Sequence, residues 1–134
     1  MPVRDAASIG TNTTQALGTA AGTVNQATAF DLGNAYPYIA DVVVHVYYPA
    51  NPTGSGPTII ADIQESSDNS TFTALGNLHT IDNATTGFPK EYHQGVVPRK
   101  RYLRVSWTIA GTTPAYGTAQ VWLGAAGEEK RSWP

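Results

Sequence analysis

The feature that most constrains this chain is an alternation with a period of two. From Val24 onward, apolar side chains recur at every second residue in short runs. Each run stops at a cluster of Gly, Pro, Asn, Asp or Ser. Successive side chains of an extended strand point to opposite faces, so the pattern describes strands with one face inside a core. Ile39–Tyr48 is the clearest case: Val42, Val44, Val46 and Tyr48 alternate with Asp41, Val43, His45 and Tyr47. Arg101–Ala110 puts Leu103, Val105, Trp107 and Ile109 on one side and Tyr102, Arg104, Ser106 and Thr108 on the other. Thr118–Gly124 repeats the pattern with Ala119, Val121 and Leu123, and Thr58–Glu65 with Ile59, Ala61 and Ile63. A further strand carries Val24, Gln26, Thr28, Phe30 and Leu32 on one side. Thr71–Leu75 and Asn77–Ile81 read as two short ones.

The interruptions are equally informative. Pro49–Pro57, Ser66–Ser70, Asp82–Gly87 and Gly111–Gly117 hold the residues that favour turns. No segment keeps the i, i+3, i+4, i+7 apolar spacing of an amphipathic helix. Strands without crossover helices cannot build a parallel sheet, so the expected fold is all-β. It is an antiparallel, jelly-roll-like β-sandwich with an extended N-terminal arm. At 134 residues the chain suffices for one domain. The first 23 residues are small and polar, with little to bury, and read as an arm that orders only against something else. The expected organisation is an arm over 1–23, a sandwich over 24–126 and a charged tail over 127–134.

Composition removes several function classes. Charged residues are 13 % of the chain and the formal net charge is −2, which disfavours an overall nucleic-acid-binding surface. There is no cysteine, so disulfides, thiolate metal sites and cysteine nucleophiles are excluded. No run of apolar residues is long enough for a transmembrane helix. The first residues lack the apolar stretch of a secretory signal.

Candidate chemistry is sparse. The sequence has no Gly-x-Ser-x-Gly, no phosphate-binding loop with Lys and no His-Glu-x-x-His. His45, His79 and His93 are far apart in sequence with no metal-ligand spacing, and read as surface or strand-edge residues. Asp62 and Glu65 read as solvating a strand end, and Asp68-Asn69 as a turn. Their oxygens together form a weaker calcium alternative. No catalytic, cofactor-binding or metal residue is therefore expected. Arg99, Lys100, Arg101 and Arg104 are half of the 8 basic residues. They mark either a partner surface or a charged strand start that discourages edge pairing. Trp133 is costly to leave in water and is expected to pack on this subunit or a neighbour.

The order of these segments resembles the small capsid cement, or decoration, proteins of tailed bacteriophages. The residues that carry the resemblance are Asp31-Leu32-Gly33, the Val-rich Val42–Val46, the run Ile63–Leu75, and Pro98–Pro114 with its core Arg101-Tyr-Leu-Arg-Val-x-x-Thr-Ile-Ala-Gly-Thr. The similarity spans about residues 14–124 and includes no catalytic signature. It implies a jelly-roll-like subunit without enzymatic activity or cofactor. It also implies a homotrimer seated on the major capsid protein, on the outer surface of a virion assembled in the host cytoplasm. Nucleic acid, membrane and small-molecule substrates are not expected partners. The rival is a carbohydrate-binding jelly-roll module, discoidin-like or from a phage receptor-binding domain. In that reading Tyr47, Tyr48, Tyr92, Tyr116 and Trp122 would serve as stacking platforms.

Overall fold

The computed structural model describes residues 13–33, 42–81 and 87–124. Alternation resolves there into strands β1 (Thr13–Ala16), β2 (Gly22–Asn25), β3 (Phe30–Asp31), β4 (Val42–Tyr48) and β5 (Thr53–Ser66). They are followed by β6 (Thr73–Ile81), β7 (Lys90–Val96), β8 (Tyr102–Ala115) and β9 (Thr118–Gly124). One sheet has the order β1-β9-β4-β7. The other has the order β2-β8-β5-β6, with β3 also paired to β8. Every pairing is antiparallel. The chain crosses repeatedly from one sheet to the other, and the result is the expected antiparallel, jelly-roll-like sandwich.

The core lies between the sheets and is built from the residues that the alternation marked. Val42, Val44, Val46, Tyr48, Val121 and Leu123 face Ile59, Ile63, Leu103, Val105, Trp107 and Ile109. Each of these is at most 2 % exposed. A fully buried aliphatic or aromatic side chain contributes about 1.5–3 kcal/mol through removal of apolar area from water.

Four departures from the sequence reading have local causes. The first concerns the arm. Its residues 13–16 and 22–23 belong to the sheets: Thr13–Ala16 pairs with β9 from Thr118 to Val121, and Gly22 and Thr23 pair with Ile109 and Thr108 of β8. Leu17, the one large apolar residue of this stretch, is 1 % exposed in the core. Small and polar residues are adequate here because β1 is an edge strand, held by its ladder and by one anchor. Residues 1–12 of the expected arm lie outside the described residues, as do Asp82–Thr86 of an expected turn and the tail with Trp133.

The second departure is the strand read across residues 24–32, which is broken into β2 and β3. Gln26 stitches the gap. Its backbone N–H donates to the Val105 carbonyl at 2.9 Å, and its side-chain oxygen accepts from the Val105 N–H at 3.0 Å. Its side-chain amide donates to the Thr28 carbonyl at 2.7 Å. A buried amide at 3 % exposure thus replaces ladder bonds that β8 would otherwise lack. Thr28 itself is exposed.

Third, the two short strands around residue 76 are one strand. The β5–β6 register passes from Ala61↔His79 to Asp62↔Asn77, and from Ile63↔Gly76 to Gln64↔Ala74. Leu78 and Leu75 are the extra residues of two bulges. Each bulge breaks the period of two, so the sequence looks like two runs, and Leu78 and His79 are buried side by side.

Last, the Pro/Gly stretch expected to end all regular structure runs on as strand. Thr53–Pro57 continues β5 and Gly111–Ala115 continues β8, paired as Thr53↔Ala115 and Ser55↔Thr112. The approach is close enough to need glycine. A Cβ on Gly54 (φ +104°) would collide with the Thr113 carbonyl oxygen. One on Gly111 (φ +121°) would lie 2.9 Å from that of Gly56.

Candidate functional site

The two outer faces of the sandwich differ in chemistry. The face of the five-stranded sheet is polar, and its side chains are paired with each other. Ser106 Oγ donates to Asn25 Oδ1 at 2.7 Å, and Asn77 Nδ2 to Asp62 Oδ1 at 3.0 Å. Arg104 Nε donates to Gln64 Oε1 at 2.8 Å, while its guanidinium lies 3.9 Å from the Phe72 ring centroid. Cross-strand register explains these contacts, since Asn25 sits opposite Ser106, Asp62 opposite Asn77 and Gln64 opposite Arg104.

The basic cluster falls at the start of β8 and spreads instead of converging. Arg101 grips Asp31 with two bonds, Nε to Oδ1 at 2.7 Å and Nη2 to Oδ2 at 3.0 Å. This fork holds the Asp31 carboxyl below its ordinary range and raises the guanidinium in turn. Burial pushes Arg104 down. Arg99 lies over Glu65, Nη2 to Oε2 at 3.8 Å, and its backbone N–H donates to Glu65 Oε1 at 3.3 Å. Glu65 is therefore not a solvating strand end: it is 4 % exposed and closes the edge of the core. The acids that meet the cluster come from β3 and β5, not from its sequence neighbourhood. Rings also adjoin it, Phe72 under Arg104 and Tyr102 at 5.1 Å from Arg101. Tyr102 follows Arg101 in sequence, whereas the Phe72 contact depends on the fold.

The weaker calcium alternative does not assemble. Asp62 is bonded to Asn77, Glu65 to Arg99, and Asp68 to its own turn. Asp68 Oδ1 accepts from Ser66 Oγ at 2.8 Å and from the Ser70 and Thr71 N–H groups at 2.9 Å, which pulls its pKa down to about 2. Asn69 follows with φ 59°, as the turn reading of Asp68-Asn69 requires.

The outer face of the four-stranded sheet carries Tyr47, His45 and Trp122, with Glu91 and His93 beside them. His45 is opposite both Trp122 of β9 and His93 of β7, and Tyr47 is opposite Gln120 and Glu91. The His45 and Trp122 rings are parallel within 3° at 5.0 Å. His45 Nδ1 is 3.1 Å from Glu91 Oε2, and the His93 ring centroid is 5.5 Å from that of His45. The donor atoms of His45, Glu91 and His93 lie within 4.8 Å of one another. The sequence pattern does not bring these residues together, because β7 carries little alternation. Lys90–Val96 has only Tyr92 and Val96 packed against the core, too few apolar residues to announce a strand. The available signal was Glu91-Tyr-His93, two ligand types on one strand face.

His79 sits on the edge strand β6 but is no surface residue, and His45 on the interior strand β4 is buried as well. His79 is 6 % exposed between the sheets. Trp107 Nε1 donates to the Tyr48 hydroxyl at 3.0 Å, and that hydroxyl bonds His79 Nε2. With its oxygen accepting from Trp107, Tyr48 is best satisfied by donating to Nε2, which puts the His79 proton on Nδ1. His79 Nδ1 and the Tyr116 hydroxyl are buried without a hydrogen-bond partner among the described residues. Burial lowers the His79 pKa to about 4, raises Tyr116 to about 12, and raises Tyr48 as well. Tyr48 and Tyr116 are at most 1 % exposed, so neither is a stacking platform. Tyr92 lies 4.3 Å from the His79 ring and packs on the core. Of the five aromatics expected at the surface, Tyr47 and Trp122 face outward.

No protein-family model matches the sequence, and no curated protein matches it. Among solved structures the chain is similar to the PBSX exported protein XepA, at 19 % identity and a TM-score of 0.56 over 99 % of this chain. It spans 43 % of that protein's length. A looser likeness is to the CBM22-2 xylan-binding domain from Paenibacillus barcinonensis Xyn10C. That match has a TM-score of 0.44 and 15 % identity, and covers 86 % of this chain and 77 % of that domain. The first of these establishes a shared β-sandwich fold. No helix among the described residues is long and apolar enough to cross a membrane.

Proposed function

We propose that this chain is a structural subunit of a phage head, a cement protein that binds the outer surface of the major capsid protein lattice as a homotrimer. The observation that carries the reading is the place of Arg101–Thr112, the segment most similar to the cement family. It forms the central strand of the five-stranded sheet and turns Tyr102, Arg104, Ser106 and Thr108 outward. These residues belong to a largely polar face, with Ile60 exposed beside Thr108, whose arginines are already ordered by Asp31, Gln64 and Phe72. Docking such side chains freezes little additional motion, which favours modest contacts over a wide area. A three-fold assembly engages three equivalent sites at once, and many copies turn a modest contact into shell stability. In this reading Arg99, Lys100, Arg101, Arg104 and Trp133 contribute to the capsid interface, and no catalysis is involved.

The test is to size the pure protein by light scattering and add it to heads that lack it. A trimer that raises the heat resistance of the heads is expected. Changing Arg99, Lys100, Arg101 and Arg104 together to Ala should weaken binding and flatten its salt dependence. A monomer that leaves the heads unchanged would defeat the proposal. One observation favours the carbohydrate-binding alternative: Tyr47 and Trp122 share the outer face of the four-stranded sheet with Gln120 and Glu91. Retention on a glycan array that disappears in Trp122→Ala would establish it.

A further inference from the structure

We infer that His45, Glu91 and His93 form a binding site for a single divalent transition-metal ion of the zinc class. Register alone brings the three together. His45 of β4 faces His93 of β7 directly, and Glu91 precedes His93 by two residues, so it lies on the same face. Two adjacent strands thus supply two imidazoles and one carboxylate without any loop. The ligand atoms are all within 4.8 Å of one another. His45 Nδ1 and Glu91 Oε2 are 3.1 Å apart. Two ligands of a tetrahedral zinc ion, with bonds of about 2.0–2.1 Å, lie roughly 3.3 Å apart. An ion between these two atoms takes the place of their shared proton with little movement, and His93 closes on it by side-chain rotation.

The site is ordered on one side and open on the other. The His45 side chain is 7 % exposed and stacked on Trp122, which holds its plane. Glu91 is 46 % exposed, and His93 is also exposed, so an ion enters from solvent and keeps a coordination position for water. Two imidazole nitrogens with one carboxylate select zinc, nickel or copper over calcium or magnesium, which prefer oxygen ligands throughout. The bound ion would clip β7, an edge strand, to the central β4.

The experiment uses the full chain without an affinity tag, stripped with EDTA and dialysed. Zinc is titrated by calorimetry, and copper(II) is titrated while Trp fluorescence is followed. The expected result is one saturable zinc site per chain, a rise in melting temperature that EDTA reverses, and quenching by copper. His93→Ala and Glu91→Gln, both at exposed positions, should each weaken zinc binding by roughly tenfold or more. Each should also abolish the zinc-dependent rise in melting temperature, with the metal-free melting temperature little changed. Absence of saturable zinc uptake in the parent chain would overturn the inference and leave a plain His45–Glu91 hydrogen bond. So would uptake of equal affinity in both variants.

Discussion

The two sheets of this sandwich solve the same packing problem with different outer surfaces. The five-stranded sheet pairs its outward side chains into a polar lattice, Asn25 with Ser106, Asp62 with Asn77, and Gln64 with Arg104. The four-stranded sheet keeps its outward histidines and Trp122 on or beside β4, a strand buried on both faces: Val43 is 0 % and His45 6 % exposed. The first arrangement suits contact with a broad polar partner. The second concentrates rings and ligating atoms in one place. The difference teaches that inner-face alternation specifies the sandwich, while cross-strand register decides what each outer face can do.

The largest expected effect tests how far the four-stranded sheet depends on its edge. Deleting residues 1–20 removes β1 and Leu17. Loss of the buried leucine alone costs about 2–5 kcal/mol, and exposing the edge of β9 adds to it. Urea unfolding should show a collapse of the midpoint. An unchanged midpoint would restore residues 13–20 to the role of a detachable arm.

A smaller effect is expected on the other sheet. Gln26→Ala leaves the Val105 N–H of β8 without its acceptor, at a cost of about 1–3 kcal/mol. The loss should appear as faster amide exchange at Val105. Unaltered exchange there would mean that the gap between β2 and β3 needs no stitch.

His79 links the sheets and supplies a pH signature. Its folded pKa, about 4, lies below the ordinary value of 6.5. The unfolded chain therefore binds a proton first, and stability falls as pH drops from about 6.5 towards 4. The contribution is full above that window and about 3 kcal/mol at most. His79→Gln keeps a hydrogen-bonding group but does not titrate, so its stability profile between pH 7 and 4 should be flatter than that of the parent chain. Parallel profiles would show that His79 does not govern this range.

The smallest effect belongs to the exposed Arg101–Asp31 fork. Arg101→Ala should lower the melting temperature only slightly, and less still in high salt. A larger loss in thermal unfolding would mean that the polar lattice stabilises the fold and does not merely decorate it.

Much of the fold was legible because burial imposes a period. β4, β9 and β8 as far as Ala110 turn inward the residues that their alternation marks, and the Asp68-Asn69 turn was readable from its side-chain chemistry. β7 was not, because an edge strand with two inward apolar residues carries too weak a signal. Nor was the unity of β6, whose bulges at Leu75 and Leu78 shift the period. The segment Thr13–Leu17 shows the same limit, since one buried leucine and a ladder of backbone bonds leave almost no pattern. The basic cluster was visible as a run, but its partners Asp31 and Glu65 were not.

The sequence by itself determined that the chain makes antiparallel sheets, which strand faces turn inward, and that no thiol chemistry is available. Those properties follow from side-chain identity and nearest-neighbour geometry along the chain. Only the tertiary structure decided that His45 meets His93 and Glu91, that His79 lies in the core against Tyr48, and that Arg101 closes on Asp31. Such meetings depend on strand order and register. Those are set by the packing of the whole core, and no local stretch of residues encodes them.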